Sequence, residues 1–157
     1  MIKYSHYCDS PVGRIYIAES DGAITHVGFR RPECSVEKRT PLIERAAEML
    51  KEYFDGERKE FDLPLRLEGT EFQKKAWNAL LTIPYGQTRS YKEQAEAVGN
   101  IKACRAIGAA NGKNPISIIV PCHRVIGANG SLVGFSAGIE VKKALLELEK
   151  RNAWLVT

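Results

Sequence analysis

The chain has 157 residues, of which 44% are hydrophobic and 27% are charged, and its formal net charge is +4. These values are typical of a soluble globular protein with one good-sized domain or two small ones. The sequence has neither the apolar core of a secretory signal peptide nor an apolar run of transmembrane length. We therefore expect a cytoplasmic protein rather than a secreted or membrane-spanning one.

Charge is divided unevenly along the chain. Residues 1–69 contain 11 basic and 13 acidic side chains, whereas residues 70–157 contain 12 basic and 6 acidic ones. A basic half attached to an acidic half indicates that one part of the protein meets a polyanion such as nucleic acid. The alternative is a basic surface without a partner, and charge alone does not separate the two.

Alternating apolar and polar residues in the first part of the chain predict an antiparallel sheet. Residues 2–29 are predicted to form a three-stranded meander, with one turn at 9–13 and a second at the Asp-Gly pair of residues 21–22. A further strand is predicted over 61–67, where leucines alternate with other residues.

One helix is predicted beside this sheet. A charged loop over 30–39 leads to Thr40, which we expect to be the N-cap, and Pro41 follows in the first helical position. Gly56 marks the residue beyond the helix end. Sheet and helix together predict a small α+β unit.

The chain changes character at Gly69, and the second half is predicted to be mostly helical. Thr70 and Ser90 each begin a capping box, a pattern that marks a helix start. Asn100 is predicted to cap a third helix over about 101–111, which gives a helix-turn-helix with the helix before it. Its many Ala and Gly residues permit a close approach either to nucleic acid or to the protein core.

The cluster of reactive side chains follows residues 116–120, an Ile- and Val-rich run. This run predicts a buried strand or core segment that stops at Pro121 and brings Cys122 to the floor of a pocket. His123 and Arg124 both favour the thiolate, which is the nucleophilic form of cysteine. A buried cysteine with a purely structural role is the alternative.

The other cysteines do not predict a metal or redox site. Cys8, Cys34 and Cys104 lack the pair spacing of such sites, and free thiols are expected in a reducing compartment even if Cys8 and Cys34 lie close together. His6 and His26 are predicted to be sheet histidines rather than ligands. We expect no bound metal.

The Pro-Cys-His-Arg sequence at 121–124, followed by Val-Ile-Gly, resembles the active-site signature of the O6-alkylguanine-DNA alkyltransferases. Further motifs of that family occur in the same order: Pro-Tyr-Gly-Gln-Thr at 84–88, Ser-Tyr at 90–91, Asn100, Arg105, Asn-Pro at 114–115 and Gly-Phe-Ser-Ala-Gly at 134–138. The resemblance covers nearly the whole chain. It implies an α+β protein with a ribonuclease-H-like structural domain at 1–68 and an alkyltransferase and DNA-binding domain at 69–157.

The resemblance also implies a reaction, the irreversible transfer of an alkyl group from O6 of guanine in DNA to Cys122. In that family His123 takes the thiol proton through a water molecule, and Glu149 orients His123. Tyr91 and Ser136 supply the proton or the hydrogen-bond donors that the departing guanine anion needs at O6. Because the product is a stable thioether, each molecule acts once, and no cofactor is needed.

Further residues are implied around the base and along the DNA. Asn114 binds the base or braces the cysteine, and Arg105 fills the space left when the target base is flipped out of the duplex. The helix that carries Arg105 is implied to enter the minor groove. The remaining implied residues are Pro121, Val125 and Phe135 in the substrate pocket, and Tyr91, Ser90, Ala106, Asn100 and Arg124 at the DNA.

Three other functions are compatible with parts of the sequence. A non-catalytic relative that only binds lesions is disfavoured because such proteins lack the cysteine. A cysteine hydrolase leaves the helix-turn-helix unexplained, and a transcription regulator leaves the Pro-Cys-His-Arg cluster unexplained. We expect a monomer whose partner is double-stranded DNA carrying O6-alkylguanine.

Overall fold

The chain forms two compact units in a computed structural model that describes residues 1–132, 135 and 137–153. The first unit contains residues 1–67 and 115–119, and the second contains residues 68–114 and 120–153. Among the described residues, no helix is both long and apolar enough to cross a bilayer. The predicted α+β class is confirmed.

The first unit is built on a four-stranded sheet, and the predicted meander is confirmed. Its strands are β1 (Lys3–Ser10), β2 (Gly13–Ser20), β3 (Ala23–Gly28) and β4 (Val36–Glu37), in the order β3-β2-β1-β4. The first three are antiparallel, whereas β4 lies within the predicted loop and runs parallel to β1. Asp21 and Gly22 both have positive φ, the conformation that a tight hairpin turn requires.

The helix of the first unit, α1 (Pro41–Phe54), begins and ends where its sequence predicts. The Thr40 hydroxyl accepts a hydrogen bond from the backbone N–H of Ile43 at 3.1 Å. Gly56 has a φ of +78°, which glycine adopts at low cost beyond a helix end. The helix buries Ile43 and Leu50, and it contacts β1, β2 and β3.

Two segments that the sequence predicts as strands do not form strands in the structure. In 61–67 the backbone pairs only around Leu65, which bridges to Ile24, and Pro64 has no N–H to extend a ladder. In 116–120 only Ile116 pairs, with Val27, and Ile118 then turns the chain with a φ of +73°. The alternative prediction for 116–120, a buried core segment, is correct, since all five residues are buried.

The second unit is mostly helical, as predicted. Its elements are α2 (Glu71–Leu80), β5 (Arg89–Ser90), α3 (Tyr91–Ala97), α4 (Cys104–Gly112), a 3-10 helix (Cys122–Arg124), β6 (Val125–Ile126) and α5 (Ile139–Asn152). Both capping boxes are confirmed: Thr70 and Ser90 each accept a hydrogen bond from the N–H three residues later, and the side chains of Gln73 and Glu93 return one.

Helix α4 begins later than its sequence predicts. Asn100 is not its cap, because α4 starts at Cys104 and the Asn100 side chain instead accepts a hydrogen bond from the Lys102 N–H at 3.2 Å. Gln94 and Asn111 form a buried pair of reciprocal amide hydrogen bonds that joins α3 to α4. The assignment of α3 and α4 as a helix-turn-helix stays a prediction.

Candidate active site

Cys122 lies in a tight 3-10 turn rather than in an extended segment. The Cys122 N–H donates to Val120 O at 2.9 Å, and the Arg124 N–H donates to Pro121 O at 3.0 Å. Cys122 is only 5% exposed and His123 is fully buried.

Glu149 is the hub of the hydrogen bonds around His123. Its Oε2 lies 2.6 Å from His123 Nε2 and accepts from Arg124 Nη2 at 3.1 Å. Its Oε1 accepts from Arg124 Nε at 2.8 Å and from the Gly86 N–H at 3.2 Å. The 3-10 helix, α5 and the loop before β5 thus meet at one buried carboxylate, which is 1% exposed.

These contacts set the protonation states of Glu149 and His123. Burial raises the pKa of the Glu149 carboxyl, but the hydrogen bonds and charges of His123 and Arg124 more than offset it, and the resulting pKa is about 2. Burial lowers the pKa of His123, against the opposing effect of Glu149. A neutral His123 facing an ionised Glu149 carries its proton on Nε2, so Nδ1 is the basic nitrogen. No described residue hydrogen-bonds to Nδ1.

Asn114 braces the backbone next to Cys122. Its Nδ2 donates to Val120 O at 2.8 Å, and its side chain also hydrogen-bonds to the cysteine thiol. Burial raises the pKa of Cys122, whereas the Asn114 hydrogen bond and the charge of Lys142 lower it. Such a thiol needs a base before it attacks an electrophile.

Arg124 does not have the partners that were predicted for it from the sequence, which were the thiolate of Cys122 and DNA. It is 7% exposed, and its guanidinium binds both oxygens of Glu149 and donates from Nη1 to Ile83 O at 2.7 Å. Its charge is matched by Glu149 rather than by the thiolate of Cys122. Burial of the guanidinium also leaves no surface for the predicted DNA contact, and we replace that role by a structural one.

Lys142 is a buried charged residue that our reading of the sequence missed. It is 1% exposed, and its Nζ donates to Val125 O at 2.6 Å. A signal was present in the helical period: Lys142 lies three residues before Leu145 and seven before Glu149, so all three share one face of α5. That face is buried in the structure.

The predicted pocket residues differ in how far they are buried. Pro121 and Val125 are buried, and Phe135 is partly exposed. Burial raises the pKa of Tyr91, and so does the charge of Cys122, which places the phenol within electrostatic reach of the sulfur. Ser136 lies outside the described residues.

The predicted DNA-binding residues lie along α3 and α4. Arg105 and Ala106 are exposed in the first turn of α4, and Asn100 is exposed in the connection before it. Ser90 is occupied as the cap of α3, where its Oγ accepts from the Glu93 N–H at 3.1 Å. In α4 the residues Ile107 and Ala110 face the core.

Sequence comparison also divides the chain close to residue 68, but it assigns residues 115–119 to the second part. Residues 2–67 match the ribonuclease-like domain of 6-O-methylguanine DNA methyltransferase, and residues 71–151 match the DNA-binding domain of the same proteins. A methylated-DNA--protein-cysteine methyltransferase of Methanosarcina acetivorans is 49% identical over 90% of this chain and 94% of the relative. The chain belongs to the 6-O-methylguanine DNA methyltransferase family. A second family member, from Mycobacterium tuberculosis, is 50% identical over 94% of both chains.

Solved structures of this family share the fold. The crystal structure of Mycobacterium tuberculosis O6-methylguanine methyltransferase superposes with a TM-score of 0.90 at 46% identity, covering 96% of this chain and 94% of that one. A structure of Mycobacterium tuberculosis OGT in complex with DNA gives a TM-score of 0.86 at 48% identity, covering 95% and 94%. Within the described ranges of the present family member, no group of three or more His, Cys, Asp or Glu side chains is arranged to hold a metal ion.

Gly86 is a position where this family member requires glycine. Its φ is +80°, and a Cβ there would lie 2.8 Å from the Cβ of Ala153. We expect Gly86→Ala to lower the free energy of unfolding by about 1–3 kcal/mol from backbone strain and about 1–3 kcal/mol from overpacking. The substitution also displaces the N–H that binds Glu149. Urea denaturation measures the loss.

Gly99→Ala is the matched control for Gly86→Ala. Gly99 has a similar φ of +85°, but a Cβ there meets nothing within 4 Å. It therefore reports the backbone strain alone. Equal losses for the two variants would contradict the steric part of the prediction, and a gain in stability when Ala153→Gly is added to Gly86→Ala would support it.

Proposed function

We propose that the chain transfers an alkyl group from O6 of guanine in double-stranded DNA to the sulfur of Cys122, once per molecule. The observation that carries the proposal is the buried Cys122 beside His123, whose Nε2 is held by Glu149. The names of the relatives state a methyl transfer from methylated DNA to a protein cysteine, and a related structure contains DNA.

The proton of the thiol must leave before the sulfur attacks. We assign the base to His123 Nδ1, because Nε2 carries the proton that Glu149 accepts. The proton passes from Cys122 to Nδ1 through one bridging water, and the imidazolium that forms is stabilised by the ionised Glu149. Arg124 keeps Glu149 ionised, since two of its N–H groups bind the carboxylate.

The thiolate then displaces guanine at the alkyl carbon. The bond between sulfur and carbon forms as the bond between carbon and O6 breaks, and the electron pair goes to O6. A proton from Tyr91, with a hydrogen bond from Ser136, neutralises the departing base. Pro121, Val125 and Phe135 line the pocket in this proposal, and Asn114 holds the turn that carries the sulfur.

The target base must leave the stack to reach a buried thiol. We propose that α3 and α4 act as a helix-turn-helix whose second helix enters the minor groove, with Arg105 in the place of the flipped base. Arg105 and Ala106 are exposed on α4, which supports this assignment. Ser90 and Tyr91 lie at the start of α3, where backbone N–H groups favour phosphate, and Asn100 is exposed in the connection before α4.

The test is the intact mass of the protein after reaction with duplex DNA that contains O6-methylguanine. We expect one added methyl group per molecule, no further addition with excess DNA, and the methyl on the peptide that contains Cys122. Cys122→Ser should gain no mass while it still binds unmodified duplex. A methyl group on Cys8, Cys34 or Cys104, or repeated turnover as in a hydrolase, would refute the proposal.

A further inference from the structure

Gln94 and Asn111 place two polar side chains, which we call the amide pair, inside the packing of α2, α3 and α4. They are 3% and 5% exposed. Gln94 Nε2 donates to Asn111 Oδ1 at 2.9 Å and to Ala76 O at 3.1 Å, and Asn111 Nδ2 donates to Gln94 Oε1 at 2.8 Å. Because Ala76 O can only accept, it fixes which way round both amides lie. The amide pair thus ties α3 to both α2 and α4.

The apolar contacts around the amide pair do not by themselves define one orientation of α4. Helix α3 has 7 residues and α4 has 9, and the fully buried apolar residues between the three helices are mostly small: Ala76, Ala95, Ile107 and Ala110. Small side chains form shallow ridges, so apolar packing alone resists rotation or sliding of α4 only weakly. A displaced α4 would break both reciprocal bonds and leave buried amides unpaired, which is costly. The amide pair therefore selects a single orientation.

Both ends of α4 lead to residues of the proposed reaction. Arg105 lies in its first turn, and its last turn leads to Asn114, whose N–H donates to Asn111 O at 3.2 Å. Asn114 Nδ2 and the Cys122 N–H then donate to the same acceptor, Val120 O, at 2.8 and 2.9 Å. Asn111 is therefore placed between the proposed flipping residue and the turn that carries the sulfur.

We propose that the amide pair holds α4 in the orientation that lets Arg105 enter the duplex while the flipped base meets Cys122, a role that rests on the proposed function. Gln94 and Asn111 are positioning residues, since both are buried and act through Arg105. At a rise of about 1.5 Å per residue, Arg105 lies about 9 Å along the helix from Asn111, and a tilt of about 10° moves it by about 1.5 Å. A misplacement of about 1 Å can cost up to about 100-fold in rate.

The experiment replaces the amide pair by apolar side chains of similar shape, Gln94→Met together with Asn111→Leu. Changing both members leaves no unpaired amide, so the double variant should fold, whereas each single variant should unfold at a lower urea concentration than the double variant. Single-turnover rates are measured with saturating duplex DNA that contains O6-methylguanine and with free O6-benzylguanine. Ile107→Val, an apolar change in the same helix interface, is the matched control.

We expect the double variant to react with duplex DNA about tenfold more slowly and with the free base at the rate of the unaltered chain. Ile107→Val should follow the unaltered chain on both substrates. The loss caused by Arg105→Ala should be smaller in the double variant than in the unaltered chain, because residues that act through one another are not additive.

Three outcomes would overturn the proposal: an unchanged duplex rate in a folded double variant, equal losses on duplex and free base, or an undiminished Arg105→Ala effect. Equal losses on both substrates would show a merely structural role. Failure of the unaltered chain to gain a methyl group from the duplex would overturn the proposed function instead.

A second measurement covers the case in which the double variant does not fold. In the unaltered chain, the side-chain NH2 protons of Gln94 and Asn111 should exchange with solvent much more slowly than those of Asn78, which is exposed on α2. The protection should persist in the complex of Cys122→Ser with the O6-methylguanine duplex, because the bound state needs the same orientation of α4. Exchange as fast as that of Asn78, in the free protein or in the complex, would overturn the proposal.

Discussion

Glu149→Gln should lower the free energy of unfolding at pH 7 by about 3–5 kcal/mol, the range found when one partner of a buried ion pair is removed. Both carboxylate oxygens of Glu149 accept from donors: Oε1 from Gly86 and Arg124, and Oε2 from His123 and Arg124. A glutamine must point its NH2 group at one of these donors. It also leaves the buried Arg124 without a counter-charge.

The same substitution should abolish most of the alkyl transfer. If the glutamine NH2 faces His123 Nε2, the imidazole must shift its proton to Nδ1 and can no longer act as the proposed base. The thiolate fraction of Cys122 at neutral pH should fall as a result. The measurements are urea denaturation, single-turnover kinetics and thiol titration. Glu147→Gln, an exposed change on the same helix, is the control and should leave all three unchanged.

Acid sensitivity separates the Glu149 effect from a general loss of packing. Because the pKa of Glu149 is about 2 in the folded protein and its ordinary value is 4.5, the ionised group stabilises the fold above pH 4.5. That contribution is lost as the pH falls from 4.5 towards 2. His123 adds to the acid loss, since its pKa is lowered from 6.5 and folding favours the neutral form. Glu149→Gln should show a flatter stability curve between pH 4.5 and 2, and an acid limb as steep as that of the unaltered chain would contradict the assignment.

Arg105→Ala should slow transfer from duplex DNA by about 30-fold or more while leaving the reaction with free O6-benzylguanine unchanged. Extruding a base costs a few kcal/mol, and about 2 kcal/mol of lost compensation corresponds to that factor. Arg105 is exposed on α4, so its removal should not disturb the fold. The quantity to measure is the single-turnover rate at saturating DNA.

Lys102→Ala is the matched control for Arg105→Ala. Lys102 is an exposed cation in the connection before α4. Its loss should weaken DNA affinity and reduce the salt dependence of binding, as for a phosphate contact, without slowing the step at saturating DNA. Equal losses for Arg105→Ala on duplex and free base would refute the role of Arg105 in base flipping.

Elements whose stability is local can be predicted from the amino-acid sequence alone. The caps at Thr40, Thr70 and Ser90 each involve a side chain and an N–H three residues away, so a short window of sequence contains both partners. The Asp-Gly turn between β2 and β3 is local in the same sense. Signature motifs along the chain were sufficient to identify the family.

Features that need a partner far along the chain depend on the tertiary fold. Residues 116–120 have the composition of a strand, but only Ile116 finds a strand to pair with. Asn100 has the chemistry of a cap but serves a turn, because α4 starts at Cys104. Composition specifies the tendency to be buried or capped, whereas pairing depends on which backbone groups the fold brings within reach.

The electrostatics of the site were also decided by the tertiary structure. In sequence Arg124 lies two residues from Cys122, yet in space its charge is bound to Glu149, 25 residues away. Lys142 lies 20 positions after Cys122, yet the fold buries it in the same unit, where its Nζ donates to Val125 O. Adjacency in sequence does not set the field at a buried atom, because desolvation and ion pairing depend on how the fold places each charge.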